Sequence, residues 1–337
     1  MTVLQAGRVA LRLLPRSVVV CVATVVLIVV VAAITLTTGD FPMPLSALFG
    51  DGSALDEFVL NTLRLPRLLT GLLVGAALAV SGATFQSVSR NPLGSPDIVG
   101  FTQGSATGAL IVIVVLHRSN TQIALGALIA GLATAIVVYL LAMKRGVQGY
   151  RLILIGIGVA AMLTAVNGYL ITRANLADAQ AAAVWLTGSL NGRDWSQVYP
   201  IAIALAILLP IALYLGRGLR MLELGDDTAR SLGVPAERVR VGAVLVGVAL
   251  AAIATASAGP IVFVALTAPQ VTRRLTKAPG PNLVPTALTG ALLLSASDLI
   301  AQRSFAADQL PVGVFTGVLG GIYLAWLLSR EWRKGRG

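Results

Sequence analysis

Residues 65–88 read LPRLLTGLLVGAALAVSGATFQSV, a mostly apolar segment that contains one charged side chain, Arg67. A helix that crosses a bilayer needs about 20 mostly apolar residues. This segment is therefore predicted to span a membrane, and the number of similar segments elsewhere in the chain decides the fold.

Nine other apolar runs bring the total to ten. The runs lie near 17–38, 65–88, 98–116, 121–143, 151–172, 197–216, 239–257, 260–272, 283–302 and 311–329. The eighth run is short for a span, so a half-helix or a re-entrant segment is an alternative to a full crossing. The first run follows three arginines and lacks a sharp cleavage site of small residues, which favours an uncleaved anchor over a signal peptide.

The composition agrees with a polytopic membrane protein. Of the 337 residues, 56% are hydrophobic and 12% are charged, and the mean hydropathy is +0.86, whereas soluble domains are about 25% charged. One histidine and one cysteine cannot supply a Cys/His zinc site, and the chain contains no GxxxxGK[ST] phosphate-binding loop. The net charge of +11 is scattered between apolar runs, which argues against nucleic-acid binding. We therefore expect no metal site and no catalytic residue.

The positive charges predict an orientation. With a cytoplasmic N-terminus and ten crossings, inner loops carry 19 of the 25 Lys and Arg residues. The six outer ones are Arg64, Arg67, Arg118, Arg173, Arg193 and Arg303. Because cytoplasmic loops are enriched in Lys and Arg, both termini are predicted to be cytoplasmic.

Two similar segments suggest an internal repeat. Residues 73–79 read LVGAALA in the second span, and residues 245–251 read LVGVALA in the seventh. Five spans separate them, so the second copy is inverted relative to the first, as in many transporters. The predicted fold class is thus all-α, with about ten transmembrane helices in an inverted five-helix repeat.

Polar residues interrupt the apolar pattern at two notable places. The segment 89–97 carries Pro92 and Pro96, and it is either an ordinary cytoplasmic turn or backbone that borders a wet cavity. Asp298 is an acid within a span, which makes it a candidate functional residue. Arg303 lies a few residues further along the same helix, so a hydrogen-bonded or ion-paired role is expected for Asp298.

The longest charged cytoplasmic segment is 217–240. Asp226 or Asp227 is expected to cap the N-terminus of a short helix, Gly233 to end that helix, and Pro235 to begin the next one. A short capped helix between two spans is suited to press on a cytoplasmic partner, and a solvated loop without a partner is the alternative.

Several motifs in chain order point to one family. They are Arg64-Leu65-Pro66-Arg67, Gly75-Ala76-Ala77-Leu78-Ala79, Arg90-Asn91-Pro92-Leu93, Trp185-Leu186-Thr187-Gly188-Ser189-Leu190, the 229–235 loop, the 258–264 segment and Leu310-Pro311-Val312-Gly313. With these motifs the chain resembles the permease subunits of type II ABC importers for ferric siderophores, heme and vitamin B12. The resemblance covers about residues 18–330 and makes 1–337 a single transmembrane permease domain, within which 217–240 is the cytoplasmic coupling-helix loop.

The resemblance implies partners and an outer docking site. Two permease subunits would form the pathway, two cytoplasmic ATPase subunits would drive it with ATP and Mg, and an extracytoplasmic binding protein would deliver the ligand. The chain itself would need no cofactor. Arginines that match Arg64, Arg67 and Arg303 meet acidic residues of the binding protein in the family, and a positive rim would steer such a surface. The alternative is that they snorkel at the membrane interface.

The resemblance also implies a cytoplasmic gate and a coupling site. The gate matches Asn91 and Leu93 in one turn and Gln148 and Gly149 at the start of the fifth span. Other members often carry small hydroxyl residues at that second position, so the chain departs from the family there. The residues that match the coupling helix, which fits a cleft in the ATPase, are Asp226, Asp227, Ala229, Arg230, Leu232 and Gly233.

The resemblance further implies a substrate and a location. Segments 267–276 and 185–195 look more like permeases for ferric siderophores, in particular ferric-enterobactin-type systems, than like those for heme or cobalamin, which are the alternatives. Such permeases commonly pair with a paralogue in the bacterial cytoplasmic (inner) membrane, as multi-pass proteins. A different class, an ion-coupled secondary transporter, would use Asp298 as its cation site. An intramembrane enzyme is disfavoured by the shortage of His, Cys and paired acids.

Overall fold

A computed structural model describes residues 2–6, 9–39, 41–97, 100–117, 120–142, 149–304 and 310–334. Within these residues, two antiparallel strands, β1 (Thr2–Ala6) and β2 (Val9–Leu13), precede thirteen α-helices. The helices are α1 (Pro15–Thr37), α2 (Ala54–Phe58), α3 (Leu65–Ser89), α4 (Phe101–Leu110), α5 (Asn120–Ala142), α6 (Gly149–Arg173), α7 (Leu176–Thr187), α8 (Trp195–Leu222), α9 (Asp226–Ser231), α10 (Ala236–Ala258), α11 (Val264–Thr276), α12 (Leu283–Ser304) and α13 (Val312–Lys334). Two π-helical segments, Val59–Arg64 and Ile111–Val115, extend α3 and α4.

Each of the ten predicted runs coincides with a helix, which confirms the all-α membrane fold. Among the described residues, seven helices are long and apolar enough to cross a membrane, and Phe101–Val115 and Val312–Trp326 are shorter apolar helices. The eighth run is α11, which has 13 residues and is about 20 Å long. Because the hydrocarbon core is about 30 Å thick, α11 is a half-helix. Helix α7 was not among the predicted segments.

Helix α11 is short because the chain before it is irregular. Gly259 and Phe263 adopt positive φ angles of 76° and 69°, which an α-helix does not contain. Pro260 between them lacks a backbone N–H donor. The irregular backbone is buried among other helices, which is the condition under which such a break is tolerated at membrane depth.

Helix α3 is the central element of the bundle. It packs against α8, α10, α11 and α12, and most of its side chains are buried. By contrast, α1 and α6 expose apolar side chains such as Val19 and Met162 along most of their length. Apolar residues therefore cover both the core and the outer surface, as lipid contact requires.

Small residues bring α3 close to its neighbours. A Cβ atom added at Gly75 would lie 2.3 Å from the carbonyl oxygen of Gly290 in α12, and one added at Gly82 would lie 1.7 Å from that of Ala265 in α11. Such close backbone contact between membrane helices depends on residues without a side chain. The two glycines set the distance from α3 to both helices.

Helix packing follows the expected inverted repeat. The helices that carry the two matching segments meet, since the Ser81 hydroxyl of α3 donates to the carbonyl of Gly247 in α10 at 2.6 Å. Helix α3 packs on α11 and α12, and its repeat counterpart α10 packs on α4 and α5. These pairs are equivalent when the first five spans are matched to the last five.

Candidate functional site

One end of the bundle contains a cavity of about 720 Å³. The three arginines predicted for docking, Arg64, Arg67 and Arg303, all line it. They come from the π-helical segment before α3, the first turn of α3 and the last turn of α12. The structure therefore gathers residues that are up to 239 positions apart in the sequence.

Arg64 and Arg303 hold the segment that follows α1. Arg64 donates to the carbonyl of Leu36 at 2.6 Å and also to that of Phe41. Arg303 donates to the Thr38 hydroxyl. These acceptors are neutral, and the described residues that line the cavity include more arginines than acids, so the rim of the cavity is rich in positively charged side chains.

The contacts of Arg67 differ from those of the other two, and the docking roles of all three stay predictions. Its guanidinium forms a two-pronged ion pair with Asp298, with Nε–Oδ2 and Nη2–Oδ1 distances of 2.9 Å. The two side chains are 13% and 5% exposed, and Gln302 donates to the same carboxylate at 2.7 Å. The ion-paired role predicted for Asp298 is confirmed.

The partner of Asp298 is Arg67 and not its sequence neighbour Arg303. Residues five apart on a helix differ by about 140° in direction, so Arg303 points away from Asp298 toward Thr38. Arg67 reaches Asp298 because α3 packs along α12. Sequence separation alone could not indicate this pair.

A fourth arginine, Arg193, also lines the cavity. It lies in the loop between α7 and α8, and its Nε donates to the carbonyl of Ser189 at 3.1 Å. Burial lowers the pKa of the Arg193 guanidinium, while the charge of Asp194 raises it. Arginine remains protonated in proteins, so Arg193 adds to the positive charge. Arg193 was not among the site residues predicted from the sequence.

The predicted gate turn lies at the opposite end of α3. Arg90 has a φ of 49° and ends the helix. The Asn91 side-chain oxygen accepts from the backbone N–H of Leu93 at 2.9 Å, and the Asn91 carbonyl accepts from Gly94. These two bonds hold the backbone from Asn91 to Gly94 in a tight turn that includes Leu93.

The second predicted gate segment is described only in part. Gln148 lies outside the described residues, and Gly149 is the first residue of α6. The gate roles of Asn91, Leu93, Gln148 and Gly149 stay predictions.

Two buried glutamines clamp the gate turn to α11. Gln270 donates to the carbonyl of Pro92 at 2.8 Å and to the side-chain oxygen of Gln86 at 3.0 Å. Gln86 in turn donates to the carbonyl of Leu266 at 3.0 Å. Neither glutamine was assigned a role from the sequence. A glutamine within an apolar run nevertheless indicates that its side-chain amide has a polar partner in the folded chain.

The clamp leads to a prediction for Gln270→Leu. The variant removes both donors and leaves buried carbonyl groups without a partner, which should cost about 1–3 kcal/mol. We expect faster hydrogen–deuterium exchange in the turn that contains Asn91 and Gly94. The control is Thr164→Val, because that hydroxyl donates to Ala160 within its own helix. Unchanged exchange in Gln270→Leu would contradict the clamp.

The short helix predicted within the coupling-helix loop is α9, Asp226–Ser231, and its role in ATPase coupling stays a prediction. The expectation that Asp226 or Asp227 caps it is wrong: Gly225 occupies the N-cap position, with a φ of 112°, and both acids lie in the first turn. The Asp226 carboxylate is unavailable for capping because two arginines hold it. Gly233, with a φ of 79°, follows the last helical turn as predicted.

Residues of the coupling segment face two directions. Ala229 is fully buried, whereas Leu232 is 60% exposed. The Asp227 carboxylate is fully exposed and lies 3.6 Å from the guanidinium of Arg230. The outer face of α9 is thus available to a partner.

Asp226 faces the rest of the chain. It accepts from Arg240 of α10 at 2.7 and 2.8 Å and from Arg90 of the gate turn. Burial tends to raise the pKa of the Asp226 carboxyl, but the bond from Arg240 and the nearby positive charges outweigh this and lower it. Asp226 is therefore ionised at neutral pH.

A second carboxylate lies just before α9. Glu223 accepts from the Ser87 hydroxyl of α3 at 2.7 Å and from Arg273 of α11 at 3.0 Å. Both contacts are partly buried. Glu223 therefore attaches the end of α8 to the same two helices that hold the gate turn.

The chain is similar to known proteins over most of its length. The sequence profile of the FecCD transport family matches residues 21–330. The chain is 49% identical to the ferric enterobactin transport system permease protein FepG of Escherichia coli (strain K12), over 90% of this chain and 91% of that protein. It is 38% identical to the iron(3+)-hydroxamate import system permease protein FhuG of Bacillus subtilis (strain 168), over 94% and 98% of the two chains.

A solved structure has the same fold over nearly the full length. It is a metal-chelate type ABC transporter in an inward-facing conformation, with a TM-score of 0.82 and 28% identity, covering 93% of this chain and 99% of that one. A structure of PsaBC from Streptococcus pneumoniae in complex with Fab, with a TM-score of 0.56 and 15% identity over 80% of this chain and 92% of that one, shares the general fold.

Proposed function

The chain belongs to the FecCD transport family, and from this premise we propose that it is the transmembrane permease subunit of an ABC importer for a ferric siderophore. It is a transport subunit and not an enzyme. ATP with Mg would be hydrolysed by two cytoplasmic ATPase subunits, an extracytoplasmic binding protein would deliver the ligand, and this chain would hold no cofactor of its own.

The observation that carries the proposal is the position of two polar sites at opposite ends of α3. Arg64 directly precedes this helix and Arg90 directly follows it, and 25 helical residues span about 37 Å. The cationic cavity at one end suits an acidic docking surface. Helix α9 at the other end suits contact with the ATPase.

This arrangement supports an orientation in the bacterial inner membrane. The cavity would face the extracytoplasmic side, and α9 with both termini would face the cytoplasm. The distribution of Lys and Arg favours the same orientation.

A siderophore is a better candidate substrate than heme or cobalamin. Relatives are named for ferric enterobactin, iron(3+)-hydroxamate and Fe(3+) dicitrate. The second permease subunit would be a paralogue, as the resemblance implies, and the exposed apolar faces of this chain leave room for such a partner.

The test is uptake of radioactive iron in cells that lack this chain. Catecholate, hydroxamate and citrate complexes are compared, with heme and cobalamin as controls. We expect loss of uptake for at least one ferric siderophore and restoration by the plasmid-borne chain. Loss of heme or cobalamin uptake alone would overturn the substrate assignment.

Docking is tested with Arg303→Glu. Reversing this charge on the cavity rim should reduce the stimulation of ATP hydrolysis by the binding protein about tenfold, since a close charge pair at an interface contributes about 1.5 kcal/mol or more. Basal ATP hydrolysis, measured without the binding protein, should persist. The control is Arg173→Glu, because Arg173 lies at the end of α6 next to Tyr169 and does not line the cavity. Full stimulation of the Arg303→Glu complex would refute the docking role.

A further inference from the structure

The segment that links α8 to α10 is held by two carboxylates with different contacts. Glu223, before the segment, is bonded to Ser87 and Arg273. Asp226, three residues later, is bonded to Arg90 and Arg240. Glu223 thus attaches the start of the segment to α3 and α11, and Asp226 attaches α9 to the gate turn and to α10.

Gly225 separates these two attachments. Its φ of 112° lies in a region that residues with a side chain rarely adopt. Helix α9 begins at the next residue and has only six residues. A rotation of α9 about Gly225 would move Asp226 while Glu223 stays fixed to α3 and α11.

The neighbouring acid has the opposite environment. The Asp227 side chain is fully exposed, whereas that of Asp226 is 32% exposed and that of its partner Arg240 is 7% exposed. Two adjacent carboxylates on one helix therefore divide between the outer surface and the interior. Of these two acids, Asp226 is the one placed to pass a movement of α9 to the gate turn.

The recipient of that movement is the gate turn. Arg90 is the first residue after α3 and directly precedes Asn91. Its left-handed backbone places the turn next to the guanidinium that Asp226 holds. The far side of the same turn is held by the bond from Gln270 to the carbonyl of Pro92. A movement of Arg90 would therefore tilt the turn about that bond.

We propose that Asp226 is a positioning residue that couples α9 to the gate turn through Arg90, with Gly225 as the pivot and Glu223 as the fixed anchor. This inference rests on the proposed function, because it requires an ATPase that moves α9. Asp226 would act through Arg90 and would contact neither ATP nor the transported ligand.

The experiment uses the complete importer in proteoliposomes, with its permease partner, ATPase and binding protein. The background is Cys21→Ser with Leu93→Cys, so that a membrane-impermeant maleimide reports on the gate turn. Labelling is compared with and without ATP and vanadate, and ATP hydrolysis and siderophore uptake are measured on the same complexes.

In Asp226→Asn we expect about a tenfold loss of uptake, as expected when a bond between two charged groups is lost. Hydrolysis per complex should stay within about twofold of the wild-type value, and the nucleotide-dependent change in labelling should disappear. Arg90→Gln should behave in the same way. Because both variants remove the bond between Asp226 and Arg90, which the inference makes the route to the gate turn, the double variant should be no worse than the worse single variant.

The matched control is Glu237→Gln, which makes the same chemical change at another carboxylate that contacts Arg240, at 3.0 Å. It should keep the nucleotide-dependent labelling. Wild-type uptake and labelling in Asp226→Asn, or a parallel fall of hydrolysis and uptake, would overturn the inference. If ATP and vanadate did not change the labelling of the parent Leu93→Cys complex, that result would also overturn the inference. Failure of the chain to co-purify with any ATPase would instead refute the proposed function.

Discussion

Gly82→Ala is expected to destabilise the permease by about 3 kcal/mol, the upper part of the usual range for overpacking a core. The added Cβ atom would lie 1.7 Å from the carbonyl oxygen and 2.5 Å from the carbonyl carbon of Ala265. Both are backbone atoms of α11, so no side-chain rotation can relieve the contact. Helices α3 and α11 would have to move apart, and the bonds that Gln86 and Gln270 make between them would lengthen.

The measurement is the midpoint of thermal unfolding of the detergent-purified chain, together with the monodisperse fraction on size-exclusion chromatography. Gly168→Ala is the matched control, because nothing lies within 4 Å of a Cβ atom added at Gly168 in α6. Since alanine favours helix over glycine by up to about 1 kcal/mol, this variant should be neutral or more stable. Equal midpoints for the two variants would show that α3 and α11 are not in close contact.

Asp298→Ala is expected to destabilise the chain by about 3–5 kcal/mol, because it leaves the buried Arg67 guanidinium without its ion-pair partner. The pair is two-pronged and largely shielded from solvent, so water cannot replace the lost carboxylate at low cost. The midpoint of thermal unfolding is again the measurement.

A double variant distinguishes the effect of the buried charges on stability from the effect of side-chain packing. Arg67→Met with Asp298→Leu removes both charges, and replacing a buried pair by apolar residues is often neutral or stabilising. We expect it to recover most of the stability that Asp298→Ala loses. Asp227→Ala, which removes an exposed partner of Arg230, should leave the midpoint unchanged. A double variant as unstable as Asp298→Ala would contradict the interpretation.

The Arg67–Asp298 pair also bears on the ion-coupled transporter hypothesis. That hypothesis requires a carboxylate that can take up a cation or proton during transport. Asp298 already accepts three bonds from Arg67 and Gln302. Its environment is that of a structural ion pair between α3 and α12.

Much of the fold could be predicted from the sequence because lipid imposes a simple rule. A segment must stay apolar for about 20 residues to cross the bilayer, and among the described residues each of the ten predicted runs coincides with a helix, although the eighth run is too short to satisfy that rule. Helix α7 was missed because its 12 residues are too few to give a spanning signal. The N-cap of α9 was misassigned because the Asp226 side chain is bonded to distant arginines.

The sequence by itself predicted the class of protein, ten apolar runs and an inverted repeat, which follow from composition, periodicity and short matching segments. The residues of the rim, the gate turn and the short helix α9 came from the resemblance of local motifs to a known family, and their roles stay predictions. Only the tertiary structure decided which charges meet: Arg67 with Asp298, Arg90 and Arg240 with Asp226, and Arg273 with Glu223. Most of these pairs join residues on different helices, and their formation depends on how closely glycines such as Gly75 and Gly82 allow α3 to approach its neighbours.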